Sequence, residues 1–179
     1  MADTRHFDEY VDAFTRIGEE AFTRKFRWHV LIGLEVIGVL DESGARGQEL
    51  TFLSEVHADD DGVALNRRVW PIRKSAWGPD GTAVRVGRVT DGNDIALPDY
   101  SVSKKHFAFI QEQGRIFVVD MGAHNGVRVN DVVVPPGERH VLSDQDELIA
   151  GRIRLEYLTN STFIERLRNT ANMHRRKRA

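Results

Sequence analysis

The sequence contains no cysteine and no long uninterrupted hydrophobic run. Without cysteine, disulfide bonds, thiolate metal ligands and cysteine nucleophiles are excluded, which is consistent with a reducing compartment. The longest apolar stretch, Val30 to Leu40, is interrupted by Glu35 and is shorter than the roughly 20 residues that a membrane-spanning helix needs. The first residues, up to Glu9, lack the basic and apolar segments of a secretory signal. We therefore expect a soluble, cytoplasmic protein.

Neither sign of charge dominates the chain, which has 25 Lys and Arg, 27 Asp and Glu, and a net charge of -2. This balance argues against a generally basic nucleic-acid-binding protein. Residues 165–179 hold six basic residues and one acidic residue, so they carry +5 and the remainder carries -7. Such a terminal run is typical of a disordered solubilising tail. Nucleic-acid binding by this tail is the alternative, and it predicts strong salt dependence and loss on removing residues 175–178.

With 179 residues, of which 41% are hydrophobic, the chain is long enough for one globular domain with an appendage. Between about residues 6 and 27, apolar residues recur at three- and four-residue steps, which predicts an amphipathic helix. These residues are Phe7, Tyr10, Val11, Phe14, Ile17, Ala21, Phe22 and Phe26. We expect this face to pack on the following domain, with a partner protein as the alternative. The run from Val30 to Leu40 fits either a buried strand or a short helix.

From about Leu50 onward, short runs rich in Val, Ile and Phe follow one another at intervals of roughly ten residues, separated by Gly, Asn and Asp. This pattern predicts an antiparallel β-sandwich or barrel. No helical pattern of useful length interrupts it, which excludes an α/β fold in this region. After Ser161, the spacing of Thr162 and Glu165 is that of a capping box, so we expect a last short helix.

Motifs for catalysis and for metal or cofactor binding are missing. The seven histidines lack the paired spacing of metal sites. The acidic turns at residues 59–62 and 91–94 do not fit the calcium-binding loop of twelve residues. There is no G-x-S-x-G nucleophile motif, no P-loop lysine and no dinucleotide-binding glycine motif. We therefore expect a protein that is not an enzyme and needs no metal or cofactor.

Three turn segments carry groups that bind anions. Arg88 ends one strand-like run, Ser103 and Lys104 lie in the stretch SVSKKH (101–106), and Asn125 lies in a tight turn. Loops cluster at the two ends of a sandwich, so segments far apart in the chain can lie side by side. If these three converge, each charge-assisted hydrogen bond to one anion would contribute on the order of 1.5 to 3 kcal/mol.

The order of these motifs resembles the forkhead-associated (FHA) domain, a module that binds phosphothreonine peptides. The resemblance is carried by VGR (86–88), NDIALPDYSVSKKH (93–106) and VVDMGAHNGVRVN (118–130), and it covers roughly Leu50 to Leu158. It implies a β-sandwich of about eleven strands with its binding loops at one end. The implied organisation is a helical extension over residues 1–49 that packs on the core, an FHA domain over 50–158, and a short helix with a basic tail over 159–179.

The resemblance also implies a role for each site residue. Arg88 and Ser103 would hold the phosphate, and Lys104 would add to this contact. Asn125 would bond the peptide main chain beside the phosphothreonine. Structural roles are implied for Gly87, His106 and Gly126, with the imidazole bracing the loop from behind the ligand.

One motif departs from the family pattern. Where the family usually has GSTNGT, this chain has GAHNGV, so that Ala123, His124 and Val127 replace three hydroxyl residues. In relatives, the hydroxyl at the His124 position reaches the phosphate, so this contact is either lost or taken over by the imidazole. If it is taken over, protonated His124 would strengthen phosphopeptide binding. An affinity that does not change between about pH 5.5 and pH 8 would contradict this hypothesis.

We therefore expect an adaptor in Ser/Thr kinase signalling whose partner is a protein carrying phosphothreonine, such as a kinase or its substrate. The alternative is a degenerate FHA module that acts as a phosphate-independent interaction or oligomerisation domain, and the altered GAHNGV loop favours it. Thr4, Thr15 and Thr23 lie in the extension. Phosphorylation of one of them would offer the module a ligand from its own chain or from another copy.

Overall fold

Two facing β-sheets dominate the computed structural model, which describes residues 4–37, 65–76 and 81–178. The larger sheet has seven strands in the order β1, β3, β2, β12, β11, β8, β9, and the smaller has five in the order β10, β7, β6, β4, β5. The strands are β1 (Arg5–His6), β2 (Val30–Val36), β3 (Arg68–Pro71), β4 (Val84–Gly87), β5 (Ile95–Ala96), β6 (Phe107–Glu112), β7 (Arg115–Asp120), β8 (Val127–Val129), β9 (Val132–Val134), β10 (Arg139–Val141), β11 (Glu147–Ala150) and β12 (Ile153–Leu158).

Alternation of side chains along the strands builds the core between the two sheets. In β6, for example, Phe107 and Phe109 point inward, and they lie opposite Asp120 and Val118 of β7 in an antiparallel register. All neighbouring strands are antiparallel except β4 and β5, which pair in parallel. The all-β sandwich predicted from the sequence is confirmed. The predicted strand over residues 50–56 lies outside the described residues.

Helices cover the outer face of the seven-stranded sheet. They are α1 (Phe7–Ile17), α2 (Glu19–Lys25) and α3 (Asn160–Arg178). The apolar stripe of α1 and α2 packs against α3 and the sheet in a second buried cluster, which includes Tyr10, Phe26, Phe163 and Leu158. The predicted helical extension is therefore confirmed and packs within the chain. Between α1 and α2 the single predicted helix is broken at Gly18, whose φ of +81° leaves the helical region, and Ile17 is exposed.

The ambiguous run that begins at Val30 is strand β2, which pairs with β12 on one side and β3 on the other. It is thus a central strand of the larger sheet, although the sequence analysis assigned it to the extension over residues 1–49. The predicted boundary at residue 50 does not separate the extension from the sandwich, because β2 precedes residue 50 and forms hydrogen bonds with β12 of the sandwich.

The C-terminal segment differs from the short helix and disordered tail that the sequence predicts. Helix α3 runs over 19 residues, from Asn160 to Arg178. It begins before the predicted capping box, and the Thr162 hydroxyl instead donates to Asp144. Bidentate ion pairs anchor its middle, from Arg166 to Glu156 and from Arg168 to Glu19. The basic residues near its end are favoured there because the helix dipole places negative charge at the C-terminus. Among the described residues, no helix is long and apolar enough to span a bilayer.

Candidate functional site

Three loops meet at one end of the sandwich. Arg88 directly follows β4, Ser103 lies shortly before β6, and Asn125 lies between β7 and β8. The main-chain N–H of Arg88 donates to the carbonyl of Ser103 at 2.9 Å, and the N–H of His124 donates to Ser103 Oγ at 3.0 Å. Asn125 Nδ2 donates to the carbonyl of Ser101 at 2.8 Å. The three loops of Arg88, Ser103 and Asn125 therefore converge as the sequence predicts, and hydrogen bonds join them directly.

The guanidinium of Arg88 lies at the rim of this site and is partly exposed. Its Nη1 makes one long bond, 3.4 Å, to the carbonyl of Tyr100. Within residues 4–37, 65–76 and 81–178, no carboxylate forms an ion pair with Arg88. Since its remaining N–H groups can still donate, Arg88 is able to bind an anion from solution.

Lys104 contributes its main chain to the scaffold and leaves its side chain exposed. The carbonyl of Lys104 accepts a hydrogen bond from Asn93 Nδ2 at 2.7 Å, and Nδ2 of Asn93 also donates to Val89 at 2.8 Å. Asn93 thereby ties the loop after β4 to the loop before β6, a role that the sequence analysis missed. A β-carbon on Gly87 would overlap the carbonyl oxygen of Lys104, so only glycine allows the two loops to approach this closely.

His106 is fully buried behind the loop and bridges two of the three loops. Its Nδ1 accepts from the N–H of Ser103 at 2.9 Å, and its Nε2 lies 2.9 Å from the carbonyl of Gly126. Because an N–H can only donate and a carbonyl can only accept, both bonds require the neutral ring with its proton on Nε2. Burial lowers the pKa of His106 below its ordinary value of 6.5, against opposing effects of the Gly126 carbonyl and Asp120.

The lowered pKa of His106 predicts that acid destabilises the fold. Below about pH 6.5 the unfolded ring takes up a proton while the buried ring does not, so the free energy of unfolding falls as pH falls, by up to about 1.4 kcal/mol per pH unit. His29, whose pKa is also lowered by burial, acts in the same direction. Urea unfolding between about pH 7.5 and pH 5 measures this slope. We expect a smaller slope in His106→Gln, which keeps one donor and one acceptor, and equal slopes in the two proteins would contradict the assignment.

Asp120, at the end of β7, holds the loop that contains Asn125. It is buried, and its Oδ1 accepts from the N–H groups of Gly122 and Ala123, both at 2.8 Å. Its Oδ2 accepts from the N–H of Val127 at 3.0 Å. These three bonds fix the turn although the family's hydroxyl residues are absent from it. Asp120 was not among the predicted site residues, but an Asp followed two residues later by Gly at a strand end is a turn signal that could have indicated it.

Of the predicted phosphate-site residues, the structure brings together Arg88, Ser103 and Asn125, and it places the main chain of His124 against Ser103. The side chains of His124 and Lys104 are exposed at the same rim. Gly87, His106 and Gly126 occupy the structural positions just described, and Gly126 adopts a positive φ of 64° in its turn.

The segment that carries all three loops matches a known family. Residues 84–151 match the family described as FHA domain. Over these residues, the chain is similar to FHA domains. The glycogen accumulation regulator GarA of Mycolicibacterium smegmatis is 40% identical over 80 residues, which are 45% of this chain and 48% of that protein. The oxoglutarate dehydrogenase inhibitor of Corynebacterium jeikeium is 38% identical over 82 residues, which are 46% of this chain and 54% of that protein.

The curated relatives match less than half of this chain. The chain spans about half the length of GarA and of the inhibitor, and it spans 18% of an FHA domain-containing protein of Arabidopsis thaliana that is 34% identical over 71 residues. Among solved structures, an FHA domain of an Arabidopsis thaliana hypothetical protein superposes with a TM-score of 0.49 at 19% identity, over 75% of this chain and 86% of that one.

Proposed function

We propose that this chain is an adaptor without catalytic activity that binds phosphothreonine-containing proteins through the rim of its FHA domain. The observation that carries the proposal is the convergence of Arg88, Ser103 and Asn125, joined by hydrogen bonds between their loops. These residues combine a cation, a hydroxyl and a carboxamide at one place, which is the combination that a phosphorylated peptide requires.

The hydrogen bonds of the free protein leave the groups that face the rim available. Ser103 Oγ accepts from the N–H of His124, so its own proton is free to be donated to a phosphate oxygen. Asn125 uses one Nδ2 proton on the carbonyl of Ser101, and in the described part of the chain its Oδ1 has no partner. Oδ1 is therefore able to accept an N–H of a bound peptide.

In this proposal the phosphate lies between the guanidinium of Arg88 and the hydroxyl of Ser103. Arg88 binds two phosphate oxygens in parallel, since the planar guanidinium matches the geometry of the anion. The exposed ammonium of Lys104 adds an attraction that is screened by salt. The imidazole of His124 adds a further cation when it is protonated.

The partner that we propose is a Ser/Thr kinase or a substrate of one, since such proteins carry phosphothreonine. Two relatives that share this domain are named as a regulator of glycogen accumulation and an inhibitor of oxoglutarate dehydrogenase. These names support a regulatory role for the domain in this chain as well.

Titration calorimetry with three peptides of one sequence, carrying Thr, phosphothreonine or phosphoserine, tests the proposal. We expect micromolar binding of the phosphothreonine peptide and no detectable binding of the unmodified peptide. The phosphoserine peptide should bind at least about four times more weakly, because it lacks the methyl group that would be buried, which is worth about 0.8 kcal/mol. Since the preferred flanking residues are unknown, the sequence is first selected from a phosphothreonine library. Equal binding of the Thr and phosphothreonine peptides would refute the proposal.

A second candidate function is phosphate-independent protein binding through the outer face of the five-stranded sheet. Ile110 and Phe117 are cross-strand neighbours on this face, and Val141 beside Phe117 is 45% exposed. Contiguous exposed apolar surface is typical of interaction sites. For this candidate we expect Phe117→Glu to abolish binding of the partner. Neither phosphorylation of the partner nor Arg88→Ala should change that binding.

A further inference from the structure

A buried ion pair lies directly behind the candidate site. The Asp99 side chain is only 1% exposed and that of Arg152 is 15% exposed. Nε of Arg152 donates to Asp99 Oδ2 at 2.9 Å, and Nη2 approaches the same oxygen at 2.8 Å. Burial would raise the pKa of Asp99, but hydrogen bonds from Arg152 and Ser101 hold it below its ordinary value. The carboxylate is therefore charged, and it depends on Arg152 for its compensation.

Ser101 closes a ring of hydrogen bonds with this pair. Its N–H and its hydroxyl both donate to Asp99 Oδ1, at 2.9 and 2.6 Å. Its Oγ also accepts from the main-chain N–H of Arg152 at 2.9 Å. A β-carbon on Gly151 would overlap Ser101 Oγ, so the turn between β11 and β12 packs tightly on the segment before Ser103. The segment from Asp99 to Ser101 is thus clamped by both the side chain and the main chain of Arg152.

Two residues of the candidate site are attached to the clamped segment at adjacent carbonyl groups. Asn125 Nδ2 donates to the carbonyl of Ser101 at 2.8 Å, and Arg88 Nη1 lies 3.4 Å from the carbonyl of Tyr100. The guanidinium of Arg152 also lies over the Tyr100 ring, 4.4 Å from its centroid. Arg152 therefore fixes the two carbonyl groups toward which Arg88 and Asn125 are oriented, although it does not itself reach the rim.

The position of Arg152 is set by the larger sheet. The N–H of Ile37, which directly follows β2, donates to the carbonyl of Arg152 at 2.8 Å. Arg152 also lies immediately after the segment that matches the FHA domain family, residues 84–151. Ile37 lies outside the matched segment and thus fixes the turn that contains Arg152. This turn, held in its place, fixes the segment from Asp99 to Ser101.

We propose that Arg152 is a positioning residue of the phosphopeptide site, acting through Asp99 and Ser101 on the orientation of Asn125 and Arg88. The inference rests on the proposed function. Removing the guanidinium leaves the Asp99 carboxylate buried without its counter-charge, which is costly enough to rearrange the segment. The carbonyl groups of Tyr100 and Ser101 then no longer hold their donors in the orientation suited to the ligand.

A double-mutant cycle on the full chain tests this inference, with the selected phosphothreonine peptide as the probe. We expect Arg152→Met and Asn125→Ala each to weaken binding about tenfold, and the double variant to lose clearly less than the sum of the two effects, because Arg152 acts in part through Asn125. Arg166→Met is the matched control, since both guanidinium Nη atoms of Arg166 also contact a carboxylate, that of Glu156, on the helical side of the larger sheet. The control should bind like the unmodified chain. Arg152→Lys, which retains the charge, should recover part of the affinity.

A second variant and a second measurement separate loss of positioning from a folding defect. If Arg152→Met does not fold, Asp99→Asn/Arg152→Met removes both charges together and avoids the uncompensated carboxylate. In the free protein, the side-chain amide signals of Asn125 should shift in the Arg152 variants and stay unchanged in Arg166→Met, whether or not any peptide binds. Failure of the proposed function is thus distinguishable from failure of this inference. Unchanged Asn125 signals, or additive losses in the cycle, would overturn the positioning role.

Discussion

Replacing Arg88 by alanine is expected to weaken binding of a phosphothreonine peptide by at least about 100-fold. A bidentate guanidinium contact supplies two charge-assisted hydrogen bonds of about 1.5 to 3 kcal/mol each, and each 1.4 kcal/mol corresponds to a factor of ten. The fold should be nearly unaffected, because Arg88 is partly exposed and, among the described residues, its side chain makes only the long bond to the Tyr100 carbonyl. Titration calorimetry measures the affinity, and urea unfolding confirms that stability is retained.

Arg115→Ala is the matched control for the Arg88 variant. Arg115 is exposed at the start of β7 and lies opposite Glu112 in the register of β6 and β7. This end of β6 is the one remote from His106 and the candidate site. Arg115→Ala removes one positive charge, as Arg88→Ala does, so any general effect of net charge on association should appear in both variants. If the two variants lost equal affinity, Arg88 would act only through long-range electrostatics and the direct phosphate contact would be wrong.

Asp120→Ala is expected to lower the free energy of unfolding by about 3 kcal/mol and to abolish phosphopeptide binding. Three main-chain N–H groups lose their acceptor, and each unsatisfied buried donor costs about 1 to 3 kcal/mol. The N–H of Val127 is buried, whereas water can partly replace the carboxylate at Gly122 and Ala123, which are more open. Binding should fail because the turn that presents Asn125 is no longer held. Urea unfolding and calorimetry on one preparation measure both effects.

Asp120→Asn gives a graded comparison. An asparagine oxygen can still accept from Gly122 and Ala123, but its NH2 group would face the N–H of Val127, so we expect an intermediate loss of stability. Glu138→Ala removes an exposed carboxylate from the loop before β10 and should leave both quantities unchanged. A stable, fully binding Asp120→Ala would show that the loop is held by other contacts.

The sequence predicted the sandwich and the positions of the three loops because these depend on local signals. Alternating strands, Gly87 before Arg88 and the Asn125-Gly126 turn are visible as patterns along the chain. The apolar stripe of α1 was visible for the same reason. The break at Gly18 was not predicted, since an isolated glycine within a periodic pattern is compatible with a continuous helix as well as with its end.

Other features depend on contacts between distant segments and could not be predicted locally. The run at Val30 became a strand because β12, more than a hundred residues later, pairs with it. Likewise, Arg152 meets Asp99 only because the turn after β11 packs on the loop before β6. A single sequence carries no signal for that meeting. The continuation of α3 to Arg178 was not predicted, because a terminal run of basic residues is typical of a disordered tail.

We propose above all that the rim formed by Arg88, Ser103 and Asn125 binds the phosphate of a phosphothreonine peptide. Mapping of amide chemical shifts during titration with the selected peptide tests it most directly. The claim predicts that the largest changes fall at residues 87–90, 101–105 and 123–126, and that the unphosphorylated peptide produces none of them. Changes centred instead on the outer face around Phe117, or on the helices, or equal changes with the unphosphorylated peptide, would contradict it.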